Sequence, residues 1–158
     1  MLKTAIEPIA QCRVEIQAEL SVSPLELWRF LENELDWHPF VTQAQRTGSV
    51  ISYSLVNGQT LSHAYSPLPE GQMGYRYSLI NDPYPLENYT SLVEIFPSRL
   101  GCKLVWSASF DTESANKAEA MRLIQLVYRA GFDYLVKRFS PSRFQFEQPR
   151  GRRKKAPA

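Results

Sequence analysis

The chain's 158 residues (18.2 kDa) suit one domain rather than two, and 44% hydrophobic with 22% charged residues excludes wholesale disorder or a fold dependent on metals or disulfides. No run approaches the roughly 20 apolar residues of a membrane helix, and the opening residues lack the apolar core of a secretory signal, so a cytoplasmic soluble protein is expected. Five of the 18 Lys+Arg (Arg150, Arg152, Arg153, Lys154, Lys155) crowd the last nine residues, leaving 13 basic against 16 acidic residues before them; this mildly acidic body argues against nucleic-acid binding.

Residues 13–20 alternate strictly, with Val14, Ile16, Ala18 and Leu20 on one face and Arg13, Glu15, Gln17 and Glu19 on the other, which predicts a half-exposed strand. Ser23-Pro24-Leu25-Glu26 then reads as a helix start: a hydroxyl for an orphan N–H, a proline suited to the first turn, and a glutamate three residues on. Val22 and Leu27 stand where a hydrophobic staple would pack. The helix carries Leu27, Trp28, Leu31 and Leu35 inward and is expected to end before Trp37-His38-Pro39, because a residue preceding proline avoids the helical region.

From about residue 44 to 110 the period falls to two, giving strands near 44–47, 50–56, 60–66, 73–80, 88–96 and 102–110. Turn signals separate them, and Asn57-Gly58 predicts a type I′ hairpin. Thr112 to Phe139 holds no proline and keeps helical spacing, which predicts a C-terminal helix of roughly 25 residues, about 38 Å long. The expected organisation is one domain over residues 1–140 and a polar, then basic, mobile tail over 141–158.

These elements imply an α+β fold: a seven-stranded curved antiparallel sheet wrapped around the long C-terminal helix, with one or two short helices after the first strand. Where the concave sheet and helix part, an apolar cavity is expected. The chain resembles the START-related and polyketide cyclase/dehydrase superfamily (SRPBCC), which includes the birch-pollen allergens and has the helix-grip fold. The resemblance runs from about Val14 to Leu135. It rests on Ser23-Pro24 followed by Trp28, on Trp37-His38-Pro39, on Pro85-Leu86-Glu87-Asn88-Tyr89, on Trp106-Ser107-Ala108-Ser109-Phe110-Asp111, and on the closing Tyr128 to Leu135. It implies the fold more firmly than the function, because such proteins bind lipids, hormones or aromatic metabolites, or assist ring closure of polyketides. Relatives that carry a glycine and arginine leading into the second hairpin, and an acidic residue on the following strand, differ from the Thr47 to Tyr53 and Leu61 to Tyr65 stretches here.

Strand parity independently nominates a lining. The inward faces hold Tyr53, His63, Tyr65, Tyr75, Tyr77, Tyr89 and Trp106, and the long helix adds Val127, Tyr128 and Gly131, the last a helix-interior glycine that makes room for ligand or sheet. Aromatic bodies with a few polar tips constitute a small-molecule pocket, although a filled core would use the same residues. Trp37 and His38 are placed at the cavity mouth, with loop packing as the competing role of His38. The first expectation is therefore binding, or transport, of a hydrophobic or aromatic small molecule or lipid. The second is a cyclase/dehydrase in which His63 and tyrosine hydroxyls move protons. The third is an interaction module whose basic tail meets an anionic membrane surface.

No cofactor or metal is expected. The sequence has no phosphate-binding glycine loop and no nucleophile motif, while Cys12, Cys102, His38 and His63 lack ligand spacing. In the helix-grip arrangement that the resemblance implies, the first and last strands pair antiparallel, which sets Cys12 and Cys102 at opposite ends. Titration of the unfolded, unreduced protein with a thiol reagent should accordingly count two free thiols; fewer would contradict the pairing.

Overall fold

The computed structural model describes residues 8–81 and 86–139; the expectations placed on Pro85 and on the basic tail through Arg150, Arg152, Arg153, Lys154 and Lys155 lie outside these residues. The chain runs β1 (Ile9–Leu20), α1 (Pro24–Asn33), β2 (Val41–Thr47), β3 (Val50–Leu55), β4 (Thr60–Pro67), β5 (Met73–Asn81), β6 (Glu87–Pro97), β7 (Cys102–Glu113), a 3₁₀ turn (Ser114–Asn116) and α2 (Lys117–Phe139). All seven strands form one antiparallel sheet in the order β1-β7-β6-β5-β4-β3-β2, so the first strand closes onto the last. The result is the helix-grip arrangement, with one helix after the first strand. No helix of the described residues is long and apolar enough to cross a membrane.

Local chemistry explains most boundaries. The Ser23 hydroxyl accepts from the Glu26 N–H at 3.1 Å, Pro24 occupies the first turn, and the flanking Val22 and Leu27 are both buried. Along β1, Cys12, Val14 and Leu20 are buried while Arg13, Glu15, Gln17 and Glu19 face solvent, as alternation requires.

Two expectations are corrected. The long helix starts at Lys117 rather than Thr112, because Ile9 pairs with Glu113 and the Ser114 N–H donates to the Pro8 carbonyl at 2.8 Å, so strand pairing holds that stretch extended. At Asn57-Gly58 only Gly58 has positive φ (88°), whereas type I′ needs both residues there. The Gly58 N–H donates to the Leu55 carbonyl and the Asn57 side chain accepts from the Gln59 N–H, each at 2.9 Å, giving a type I turn followed by a left-handed glycine.

The register sets Cys12 opposite Phe110 and Cys102 opposite Leu20. Eight strand residues separate the two positions, roughly 26 Å at about 3.3 Å per residue, far beyond disulfide reach. Both thiols are buried, and burial pushes that of Cys102 up to about 11.

The helices do not cover the sheet. Six inter-strand gaps of about 4.8 Å make it roughly 29 Å wide, whereas a helix with its side chains is about 10–12 Å across. Helix α2 packs on β1 and β7, and α1 packs on β5 and β6. The concave faces of β2, β3 and β4 lie beyond both, which leaves a space at that end of the fold.

Glycine is required where β7 begins. Gly101 has φ 151°, and a Cβ there would lie 2.6 Å from the Val22 carbonyl oxygen and 2.7 Å from that of Leu20, whereas one on Gly58 meets nothing within 4 Å. Gly58→Ala should cost only the backbone strain of about 1–2 kcal/mol, while Gly101→Ala adds a steric term and unfolds at clearly lower urea. Equal urea midpoints for the two variants would show that the Gly101 contact is relieved at no cost.

Candidate functional site

The space at the uncovered end is a cavity of about 130 Å³. Tyr53 and Leu55 of β3, Leu61 and His63 of β4, Tyr75, Tyr77 and Leu79 of β5, Tyr89 of β6 and Trp106 of β7 form its concave wall. Ile124, Val127 and Tyr128 of α2 face them, and Leu35, Trp37, His38 and Phe40, from the segment between α1 and β2, close one side with Val41 at the start of β2. None of these residues carries a formal charge at neutral pH. Tyr53, His63 and Tyr75 are half-buried, keeping accessible surface within this space.

One wall is a satisfied polar network. The Trp106 indole Nε1–H is shared between Tyr77 Oη at 3.1 Å and Ser91 Oγ at 3.0 Å, and Ser91 Oγ–H donates to the Ser107 carbonyl at 2.9 Å. Tyr128 Oη lies 2.9 Å from Ser91 Oγ and 2.8 Å from Tyr89 Oη. Burial raises the ionisation of Tyr75, Tyr89 and Tyr128 well above the ordinary tyrosine value, and it raises that of Tyr53 too, so each of these phenols is neutral.

The two histidines differ. His38 Nδ1 accepts from the Phe40 N–H at 3.0 Å, so Nε2 carries the proton and donates to the Val127 carbonyl of α2 at 2.8 Å. With both nitrogens engaged and burial lowering its pKa, His38 is a neutral tie between the post-α1 segment and α2, as well as a wall residue. His63 lies flat on Tyr77 (centroids 4.2 Å, 15°) and tilts against Tyr53 at 4.8 Å. Neither of its ring nitrogens is hydrogen-bonded among the described residues. Burial lowers its pKa to about 3, which makes it a neutral imidazole and a weak base.

Of the twelve residues nominated from sequence, the structure brings Tyr53, His63, Tyr75, Tyr77, Tyr89, Trp106, Val127, Tyr128, Trp37 and His38 around the cavity. Two stand elsewhere. Tyr65 packs on the far side of Tyr75 (centroids 5.0 Å) beneath the Arg46 guanidinium, 4.6 Å from its ring centre. Gly131 gives its room to protein rather than to the cavity: a Cβ would meet Trp106 Cζ3 at 2.9 Å and His38 Cδ2 and Trp37 Cη2 at 3.1 Å. Leu55, Leu61 and Leu79 lie on the faces that parity assigns inward, and Leu35, expected inward on the first helix, lines the cavity from just beyond its end at Asn33, whereas Phe40, Val41 and Ile124 were not nominated. Among the described residues no group of three or more His, Cys, Asp or Glu is placed to hold a metal ion.

Residues 11–140 match the family described as polyketide cyclase / dehydrase and lipid transport. Among solved structures, the protein XoxI from Bacillus cereus superposes with a TM-score of 0.72 at 24% identity, covering 82% of this chain and 95% of that one. Truncated norcoclaurine synthase from Thalictrum flavum gives a TM-score of 0.61 at 13% identity, covering 86% and 96% respectively. Ara h 8.0201 gives 0.56 at 17% identity, covering 81% and 99%. At these identities the likeness is one of fold. No curated protein sequence matches the chain.

The His63 environment predicts a pH dependence with a defined sign. Its folded pKa of about 3 lies below the ordinary value of 6.5, so below pH 6.5 the unfolded chain binds the extra proton and the folded state loses stability, up to about 1.4 kcal/mol per pH unit, until roughly pH 3. The lowered pKa of His38 acts in the same sense. Urea unfolding from pH 7 to pH 4 should therefore show a shallower loss for His63→Phe than for the wild type; parallel curves would place His63 in contact with water in the folded protein.

Proposed function

The chain belongs to the polyketide cyclase/dehydrase and lipid transport family, and on that premise we propose that it binds a hydrophobic or aromatic small molecule in the cavity between its curved sheet and α2. The observation that carries this reading is the wall. Leucine, valine and isoleucine side chains supply apolar area, while aromatic rings end in polar atoms inside the fold, the usual make-up of a small-molecule site. A core built only for packing would fill this space, because an apolar void of this size costs on the order of 3 kcal/mol.

Access is proposed beside Trp37 and His38, where the segment between α1 and β2 meets α2. That segment is held by the paired hydrogen bonds of His38, which supports a mouth of defined shape.

Binding without turnover is favoured over ring-closing chemistry by the state of His63. An imidazole with a pKa near 3 removes protons poorly at neutral pH, and a general base works best near the operating pH. The buried phenols, held neutral, are hydrogen-bond donors rather than bases.

Native mass spectrometry of the gently purified protein, followed by denaturation and identification of what is released, tests the reading. A stoichiometric adduct of a neutral or weakly polar organic molecule is expected. His63→Ala should then retain most of the affinity for that molecule. A loss of about 10²–10⁴-fold in conversion of a polyketide-like substrate by the same variant would instead establish the enzyme. Bare protein whose melting temperature is unmoved by a panel of lipids and aromatic compounds would overturn the binding reading.

A further inference from the structure

Resting on the binding reading above, we infer that the cavity selects an uncharged guest of about one aromatic ring whose polar group accepts a hydrogen bond, and that the Tyr77 hydroxyl recognises it.

The size argument is direct. A cavity of about 130 Å³ is close to the roughly 150 Å³ of an apolar protein cavity that holds a single benzene. One ring with a small substituent fits the walls as they stand.

The polarity argument follows each proton. A carbonyl cannot donate, so the 2.9 Å contact between Ser91 Oγ and the Ser107 carbonyl uses the only hydroxyl proton of Ser91. Ser91 must then accept from Tyr128, whose proton is thereby engaged, and Tyr128 in turn must accept from Tyr89. The Trp106 N–H divides between Ser91 and Tyr77, so Tyr77 is an acceptor towards the indole. A one-way chain results, from Tyr89 to Tyr128 to Ser91 to the Ser107 carbonyl, and the Tyr77 proton is not part of it. Among the described residues no group accepts the Tyr77 proton by a hydrogen bond, and rotation about the C–O bond turns it to a guest. Tyr53, Tyr75 and His63, further along the same wall, each bring a proton that no described residue accepts by a hydrogen bond. These donors keep accessible surface towards the space, so an acceptor placed in it satisfies protons that the described residues do not.

The charge argument fixes the rest. No Lys, Arg, Asp or Glu is among the lining residues. Arg46, which is not among the lining residues, lies over the Tyr65 ring, with its Nε–H donated to the Gly48 carbonyl at 3.1 Å. An ionised guest would enter low-polarity surroundings without a counter-charge, a larger loss than any hydrogen bond returns. Ketones, aldehydes, esters and amides satisfy these terms. Carboxylates and ammonium ions do not.

Calorimetric or NMR titration with three one-ring probes tests this: acetophenone, its hydrocarbon isostere α-methylstyrene, and benzoate. The wild type should bind α-methylstyrene and bind acetophenone more tightly, with benzoate at least about tenfold weaker than acetophenone. Tyr77→Phe keeps the Ser91 acceptor for Trp106, and should weaken acetophenone by about three- to tenfold while leaving α-methylstyrene unchanged. The infrared carbonyl stretch of bound acetophenone should also lie lower in the wild type than in Tyr77→Phe. Benzoate binding as tightly as acetophenone would overturn the neutral-guest inference, and equal losses for both neutral probes in Tyr77→Phe would reduce Tyr77 to packing; in either case the binding reading stands. Should the folded wild type bind no probe at all, the one-ring inference falls, while the binding reading stands or falls separately with the mass-spectrometric and melting-temperature results. If Tyr77→Phe does not fold, the order of the three probes on the wild type decides the neutral-guest part, and a carbonyl stretch of bound acetophenone no lower than in an alkane solvent would overturn recognition by a hydroxyl.

Discussion

Trp106 stands between the sheet and α2, and its ring sets how closely the two approach. The indole stacks on Tyr128 at 4.1 Å and 16°, touches Phe132 at 6.2 Å, and lies where a side chain on residue 131 would be. Only a glycine lets so large a ring reach the helix backbone. The same ring meets Trp37 and His38, the segment that closes the cavity from the side. The spacing of sheet and helix, the seat of the closing segment and the depth of the cavity are therefore consequences of one aromatic residue against one missing side chain. A helix-interior glycine costs about 1 kcal/mol relative to alanine, and the aromatic contacts it admits, at roughly 0.5–1.5 kcal/mol each, more than offset that.

The buried hydroxyls belong to the same construction. Apolar residues of similar volume could fill the positions of Ser91, Tyr89 and Tyr128 without any need for partners. Instead each oxygen is satisfied by another, and the chain ends on a backbone carbonyl. Such a network is rigid because every member has a fixed direction, and it is expensive to disrupt because a lost partner leaves a buried donor. It holds the helix side and the sheet side of the cavity in register, with Tyr77 joined to it through the Trp106 indole.

The sequence made the fold legible because its dominant signal is alternation, and alternation survives wherever one strand face is buried. Cys102, Leu104, Trp106, Ala108 and Phe110 are all buried, as are Tyr89, Ser91, Val93 and Ile95. Parity says which way a residue points and nothing about how far away the opposing element stands. Tyr65 and Tyr77 pair directly across β4 and β5, share a face, and are identical in chemistry, yet only Tyr77 reaches the cavity. The difference is in what each ring meets: Tyr65, one strand further out, lies against Tyr75 beneath Arg46, whereas Tyr77 lies under His63 and accepts from Trp106. Phe40 and Val41 escaped notice for another reason: they come from an irregular connection and its edge, where no period marks an inward face. At Thr112 the local preference for helix lost to pairing with β1, a partner about a hundred residues away in sequence.

The cavity is a consequence of geometry before it is one of chemistry. A sheet of seven strands is wider than its two helices can cover, and the uncovered concave face must be exposed, filled by large side chains, or closed over a space. This chain uses bulky rings on β3, β4 and β5, and it draws the segment after α1 across the opening by means of His38. Trp28 on α1 stacks against Tyr75 (centroids 6.1 Å), and Arg46 and Tyr65 extend that aromatic row outward. The rings thus close one end of the space and leave the other bounded by Trp37, His38 and α2. Filling the remainder would take only larger residues at Leu55, Leu61 or Val127. Leucine and valine stand there instead, beside phenol and imidazole groups of Tyr53, Tyr75 and His63 that have no hydrogen-bond partner among the described residues.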